Sequence, residues 1–167
     1  RTEFLLTHDQ NNLSIGARVF EEDPGLIVAK TLRQGETLRN DDRIGIILDP
    51  FNNKRSGYQF MVNANGVRRE GIFKGGDTDW DWNGIWQAKS KVTDFGWSTE
   101  VAIPFKTLSF RDDTEWGLNF VRDIERNNEG IAWSSRNRST GPSVAGTLTG
   151  IHGVTQGMGL DIVPSLS

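Results

Sequence analysis

The chain has 167 residues with 35% apolar content, one domain of ordinary size that can bury about two-thirds of its unfolded surface. A net charge of −3, with only short basic pairs at Arg68-Arg69 and Arg136/Arg138, argues against a nucleic-acid surface, which needs a clustered excess of Lys and Arg. The absence of cysteine excludes disulfides and thiolate metal sites, and no run of about 18 apolar residues offers a membrane-spanning helix.

Nineteen glycines and few helical periods favour an all-β sandwich of short strands and tight turns. Residues 2–6 and 13–20 read as a hairpin around the turn formers of 8–12, and Asp23-Pro24-Gly25 ends its second strand. Residues 26–38 fit neither period and are expected as a short helix or an irregular connection. Ile44, Ile46, Ile47 and Leu48 then form a β-branched run too short for a helix and too apolar for the surface, which predicts a central buried strand. It stops at Asp49-Pro50. After Asn52, Asn53 and Gly57, the alternation of Tyr58, Phe60 and Val62 with Gln59, Met61 and Asn63 predicts its antiparallel partner.

Residues 67–73 read as a further strand, and Gly75-Gly76 opens an unusual stretch, Asp77 to Trp86. If extended, it sets Trp80, Trp82 and Trp86 on one side and Asp79, Asp81 and Asn83 on the other. Residues 87–92 and 97–103 predict the next hairpin, Pro104 the start of a brief helix reaching Leu108, and residues 116–124 and 131–134 a hairpin with a polar tip at Asn127-Asn128. A loop follows over 136–142 and a last strand over 147–151. The sandwich is expected to occupy residues 1–157. Because Arg1 is not an initiator Met and strand-like residues follow at once, a further N-terminal segment is expected.

Three stretches carry a resemblance. The hairpin DRIGIILDPFNNKRSGYQFMVN, the segment GWSTEVAIPFKTL and the pair WGLNFVRDIE and IAWSS resemble the central and closing strands of family 9 carbohydrate-binding modules, and the likeness covers most of the chain. It implies an antiparallel, jelly-roll-like, DOMON-like β-sandwich with no catalytic role. The version it most resembles precedes a β-barrel in bacterial outer-membrane proteins. That version implies a periplasmic or cell-surface location, a glycan or oligosaccharide partner, and a C-terminal barrel of the same chain as a further partner. Residues 158–167 would be a linker or the first barrel residues, with no membrane contact by the rest. Within the family's sugar pocket, Gly45 stands in place of an acid, Met61 in place of Arg, Val121 in place of Gln and Arg39 where a stacking Trp would be; a second Trp has no counterpart near Ser139. Asn63 alone is retained. The resemblance therefore implies an eroded pocket, with a structural or interaction domain as the alternative function.

Trp80 and Trp82 could stack a sugar ring, with Asn63 and Arg69 as its polar partners, or could plug the core; Trp97, Trp116 and Trp133 lie in clear strands and are expected in the core. Asp79, Asp81, Asn83 and Gly84 fit the opening of a calcium loop, with Ser90 at the twelfth position in place of Glu, so Asp77 or a distant carboxylate would have to complete a Ca²⁺ site; the alternative is a solvated acidic face. Related sandwiches hold haem through Met with His or Lys, which makes Met61 with His152 a further alternative. His8, His152, Glu100, Glu115 and Asp123 show no catalytic spacing.

Overall fold

The structure, a computed structural model, describes residues 1–112, 115–135, 139–154 and 156. Its strands are β1 (Thr2–His8), β2 (Asn12–Phe20), β3 (Arg43–Asp49), β4 (Ser56–Asn63), β5 (Arg68–Lys74), β6 (Asp77–Asp79), β7 (Gln87–Thr93), β8 (Gly96–Pro104), β9 (Trp116–Ile124), β10 (Glu129–Ala132) and β11 (Gly146–Leu148). They form two antiparallel sheets, a smaller one in the order β1-β2-β8-β7 and a larger one in the order β10-β9-β3-β4-β5-β6, with β11 also pairing β9. The chain is an all-β antiparallel sandwich.

Alternation builds the core. Ile15, Val19, Trp97, Val101 and Ile103 face inward from the smaller sheet, and Ile44, Ile46, Leu48, Phe60, Val62, Trp116, Leu118 and Phe120 meet them from the larger one. The rings of Phe4 and Phe120 stack across the gap with centroids 3.9 Å apart. Each fully buried aliphatic or aromatic side chain here contributes about 1.5–3 kcal/mol of transfer free energy.

β3 is apolar throughout because both of its faces are covered. Ile47 points away from the core yet is fully buried, as are Asn63 and Asn119 on the same outward face. Two connections cover them. Leu38 packs on Met61 and Val67, and the segment after β10 lies over Asn119, whose Oδ1 accepts the Ser134 N–H at 3.1 Å.

Of the two expectations for residues 26–38, the irregular connection is the one observed: only the end of a 3-10 turn at Pro24–Leu26 falls there, and in place of a ladder the N–H groups of Lys30 and Thr31 donate to Asp41 and that of Val28 to Asp42. Other expectations are revised. Phe105–Thr107 is a single 3-10 turn. The strand expected over 147–151 is β11, Gly146–Leu148, the last among the described residues, and Ile151 beyond it is a core residue. Pro142, expected in a loop, is buried in a 3-10 turn at Pro142–Val144. Residues 136–138 and 157–167, which include the proposed barrel start, lie outside the described residues.

Candidate functional site on the outward face of the larger sheet

Strand register sets the outward face in rows. Arg69, Met61, Gly45, Val121 and Ala132 run side by side across β5, β4, β3, β9 and β10, so that Met61, Gly45 and Val121, three of the four positions expected from sequence to line a sugar pocket, are neighbours. Arg43 and Asp123 form an ion pair at 2.6 Å one row along. Beyond Val121, a cleft of about 770 Å³ is walled by Asp123, Asn128, Glu129, Ser135 and Thr140. Arg39 lines an adjoining hollow with Arg43 and Asp123.

Trp80 lies at the opposite end of this face. β6 ends at Asp79, so Trp80 follows an edge strand paired to β5 and its indole lies across Gly71; a Cβ there would meet the ring at 3.0 Å, so the close approach requires glycine. The Arg69 guanidinium stands 4.5 Å from the Trp80 ring centroid, a cation–π contact. Trp80 is 38% exposed.

Trp82 and Trp86 do not share that side. Because the strand ends at Asp79, the alternation expected of an extended stretch is lost. Trp82 packs inward, its ring 5.2 Å from Tyr58 and 6.1 Å from Phe60. Trp86 is buried 5.1 Å from Phe60, its Nε1 donating to Glu70 Oε2 at 3.0 Å. Of the four sugar-site residues expected from sequence, Trp80 and Arg69 come together and Trp82 turns to the other face of the sheet.

Asn63 is on the outward face but is fully buried and internally satisfied. Its Nδ2 donates to Thr31 O at 3.1 Å and Asp41 Oδ2 at 2.9 Å, and its Oδ1 accepts the N–H groups of Asn65 and Val67. It therefore serves as a structural clamp with no free group for a ligand. Burial of Asp41 would raise its carboxyl pKa, but the hydrogen bonds from Asn63, Lys30 N–H and Thr31 outweigh this and hold it below the usual 3.8.

The acidic stretch is also self-contained. Asp79 Oδ1 accepts the Asp81 N–H at 3.0 Å and its Oδ2 lies 3.7 Å from Lys74 Nζ, while Asn83 Nδ2 donates to Asp81 O at 3.1 Å. Among the described residues, no group of three or more acid or histidine side chains could hold a metal ion. For haem, Met61 lies in an apolar group with Leu38 and Val67 on the outward face, whereas His152 lies between Ile151 and Val154, which belong to the inter-sheet core.

Two features of the described residues were missed in the sequence. Trp133, expected in the core, is 60% exposed. Asn119 Nδ2 and Asp49 Oδ1 are buried on the outward face without a hydrogen-bond partner among the described residues.

No family model matches the chain, and no curated protein sequence does. Solved structures do. A Bacteroides uniformis protein described as carbohydrate-binding superposes with a TM-score of 0.72 at 16% identity over 88% of this chain and 77% of its own. A family 9 carbohydrate-binding module from Caldicellulosiruptor kristjanssonii in complex with cellotriose gives 0.60 at 20% identity over 99% and 80%. A family 9 module from the same organism in complex with glucose gives 0.59 at 21% over 88% and 74%. With two antiparallel sheets in this order and this superposition, the chain has the sandwich fold of carbohydrate-binding modules.

Proposed function

We propose that this chain is a non-catalytic carbohydrate-binding module that holds glycan on the outward face of its larger sheet. Trp80 carries the reading. It is a partly exposed indole fixed against Gly71 with the Arg69 guanidinium alongside. An indole plane packs on the C–H face of a pyranose, and a guanidinium beside it donates hydrogen bonds to the ring's hydroxyls. The fold likeness to modules solved with cellotriose and with glucose supports a glucan-type ligand.

A single stacked ring contributes a few kcal/mol before association costs, so a monosaccharide should bind no better than about millimolar and longer glycans more tightly. Titration of soluble oligosaccharides against tryptophan fluorescence and amide spectra tests this. Trp80→Ala should abolish binding and Arg69→Ala should weaken it, while Met61→Ala leaves it intact. If no mono- or oligosaccharide perturbs the spectra at tens of millimolar, the structural or interaction domain replaces this reading. We extend the proposal to a bacterial outer-membrane-associated protein, with the module in the periplasm or at the cell surface; the sequence resemblance supports it, and fractionation of cells expressing the full-length protein tests it.

A further inference from the structure

The outward face of the smaller sheet holds a trough that the sugar reading above does not use. Register sets three rows across β1, β2, β8 and β7: Glu3, Arg18, Ser98, Lys91; then Leu5, Gly16, Glu100, Lys89; then Thr7, Ser14, Ala102, Gln87. The two central strands contribute mainly small side chains and the two edge strands longer ones, so the middle is low and the sides are high. At its centre is Gly16. A Cβ there would meet nothing within 4 Å. Two cavities of about 730 and 780 Å³ share Leu5, Gly16 and Glu100 and so join into one trough. From the Thr7 row to the Glu3 row it runs about 13 Å at the usual strand rise.

Its charge contrasts with that of the whole chain. Arg18, Lys89 and Lys91 are exposed and make no ion pair with a described residue, and Arg68 at the rim donates only to Trp86 O and Gln34 Oε1. Against them stand Glu100, at the centre, and Glu3, which is paired with Arg1. A protein of net charge −3 thus sets four cationic side chains, against Glu100 and the already paired Glu3, around one concave surface. Such a surface attracts an anionic partner. The neutral groups between the charges, Thr7, Ser14, Ser98 and Gln87, donate and accept hydrogen bonds as sugar hydroxyls require, and Glu100 can accept from a diol. A concave floor favours a narrow chain over a flat lipid surface.

We propose that this trough binds an extended acidic polysaccharide, a chain of carboxylated sugars, with Arg18, Lys89, Lys91 and Arg68 meeting its carboxylates. The proposal concerns a different surface from Trp80, so either site can fail alone. The test is calorimetric titration with tetragalacturonate at low ionic strength, with cellotetraose and phosphatidylglycerol vesicles as the other probes. Tetragalacturonate should bind, added salt should weaken it, and Trp80→Ala should leave it unchanged. Lys89→Gln with Lys91→Gln should weaken it by about tenfold or more, and Gly16→Leu, which fills open space above a strand, should block it. Circular dichroism and melting check that both variants stay folded. The proposal is overturned by no saturable binding of tetragalacturonate, by undiminished binding in both variants, by equal binding of cellotetraose, or by vesicles that displace the sugar.

Discussion

The outward faces of the two sheets treat their polar residues in opposite ways. On the larger sheet, Asn63 and Asn119 are as inaccessible as the core; the connection that carries Lys30, Thr31 and Asp41 fastens over the one, and Ser134 bonds to the other. On the smaller sheet, Arg18, Lys89, Lys91 and Glu100 are exposed, with no connection across them among the described residues. A buried polar group must be paired, so on the larger sheet a polar side chain that looks like a ligand anchor is more often a fastening for the loop above it. Asn63 is the clear case. The accessible chemistry has moved to that face's margin, at Trp80 and in the cleft beyond Val121, and to the open trough on the other sheet.

The first way to press this comparison is to ask whether the buried outward face matters as much as the inter-sheet core. Trp116 is fully buried against Phe105 and Phe110, and Trp116→Ala should cost about 3–5 kcal/mol in urea unfolding. Asn63→Ala removes four hydrogen bonds and leaves the buried Asp41 carboxylate with its Lys30 and Thr31 donors alone, and should cost about 3 kcal/mol. A loss under about 1 kcal/mol would show that the outward face is a solvated surface and that the contrast drawn above is wrong.

Asp41 sharpens the same point through pH. Its folded-state pKa lies below the ordinary 3.8, so the unfolded chain takes up the proton first as pH falls. The stability it contributes is complete above about pH 4–5 and is lost as pH drops through the lowered folded value. Unfolding free energies measured from pH 6 to pH 3 should decline in the wild type. In Asn63→Ala, part of that decline should disappear, because the side chain that favours the carboxylate is gone. Identical slopes would place the acid sensitivity elsewhere.

Trp80 and Trp82 compare the two faces within three residues. Trp82 packs on Tyr58 and Phe60 at the rim of the core, so Trp82→Ala should cost about 2 kcal/mol, while the partly exposed Trp80 should cost about 1 kcal/mol or less. Thermal melts of the two variants decide it, and equal losses would mean that Trp80 is part of the core rather than a platform.

How far the sequence reveals these faces depends on what alternation can encode. It marks β3, β4, β8 and β9 and places Trp97 and Trp116 inward, because residues two apart share a side. It does not say whether a side is covered. Trp133 follows β10 on the inward-facing side, 6.3 Å from Phe120, but β10 is an edge strand and leaves the ring exposed. Alternation also assumes that the strand continues; β6 ends at Asp79, so Trp80 and Trp82 part company. The role of Asn63 depends on Asp41, 22 residues away, and the trough depends on register across four strands, neither of which local pattern contains.

The smallest effect expected is that of chelation. The spacing of Asp79, Asp81, Asn83 and Gly84 invites a calcium ion, but β6 holds Asp77 to Asp79 in a ladder with β5 and the stretch turns away directly afterwards. Asp79 faces Lys74 and the Asp81 N–H, and Asn83 points its amide at Asp81 O. A calcium site needs six to eight oxygens converging at about 2.4 Å, with several carboxylates free to supply them. Here one carboxylate is already engaged by a cation and an amide, and Ser90 stands at the twelfth position in place of an acid. A ligand that binds only the folded state raises the melting midpoint by mass action, so melting in chelator and in millimolar calcium should give the same midpoint. A rise of several degrees with calcium, abolished by Asp79→Asn, would mean that the loop closes around the ion and that this edge of the larger sheet is built for a metal rather than for an aromatic platform.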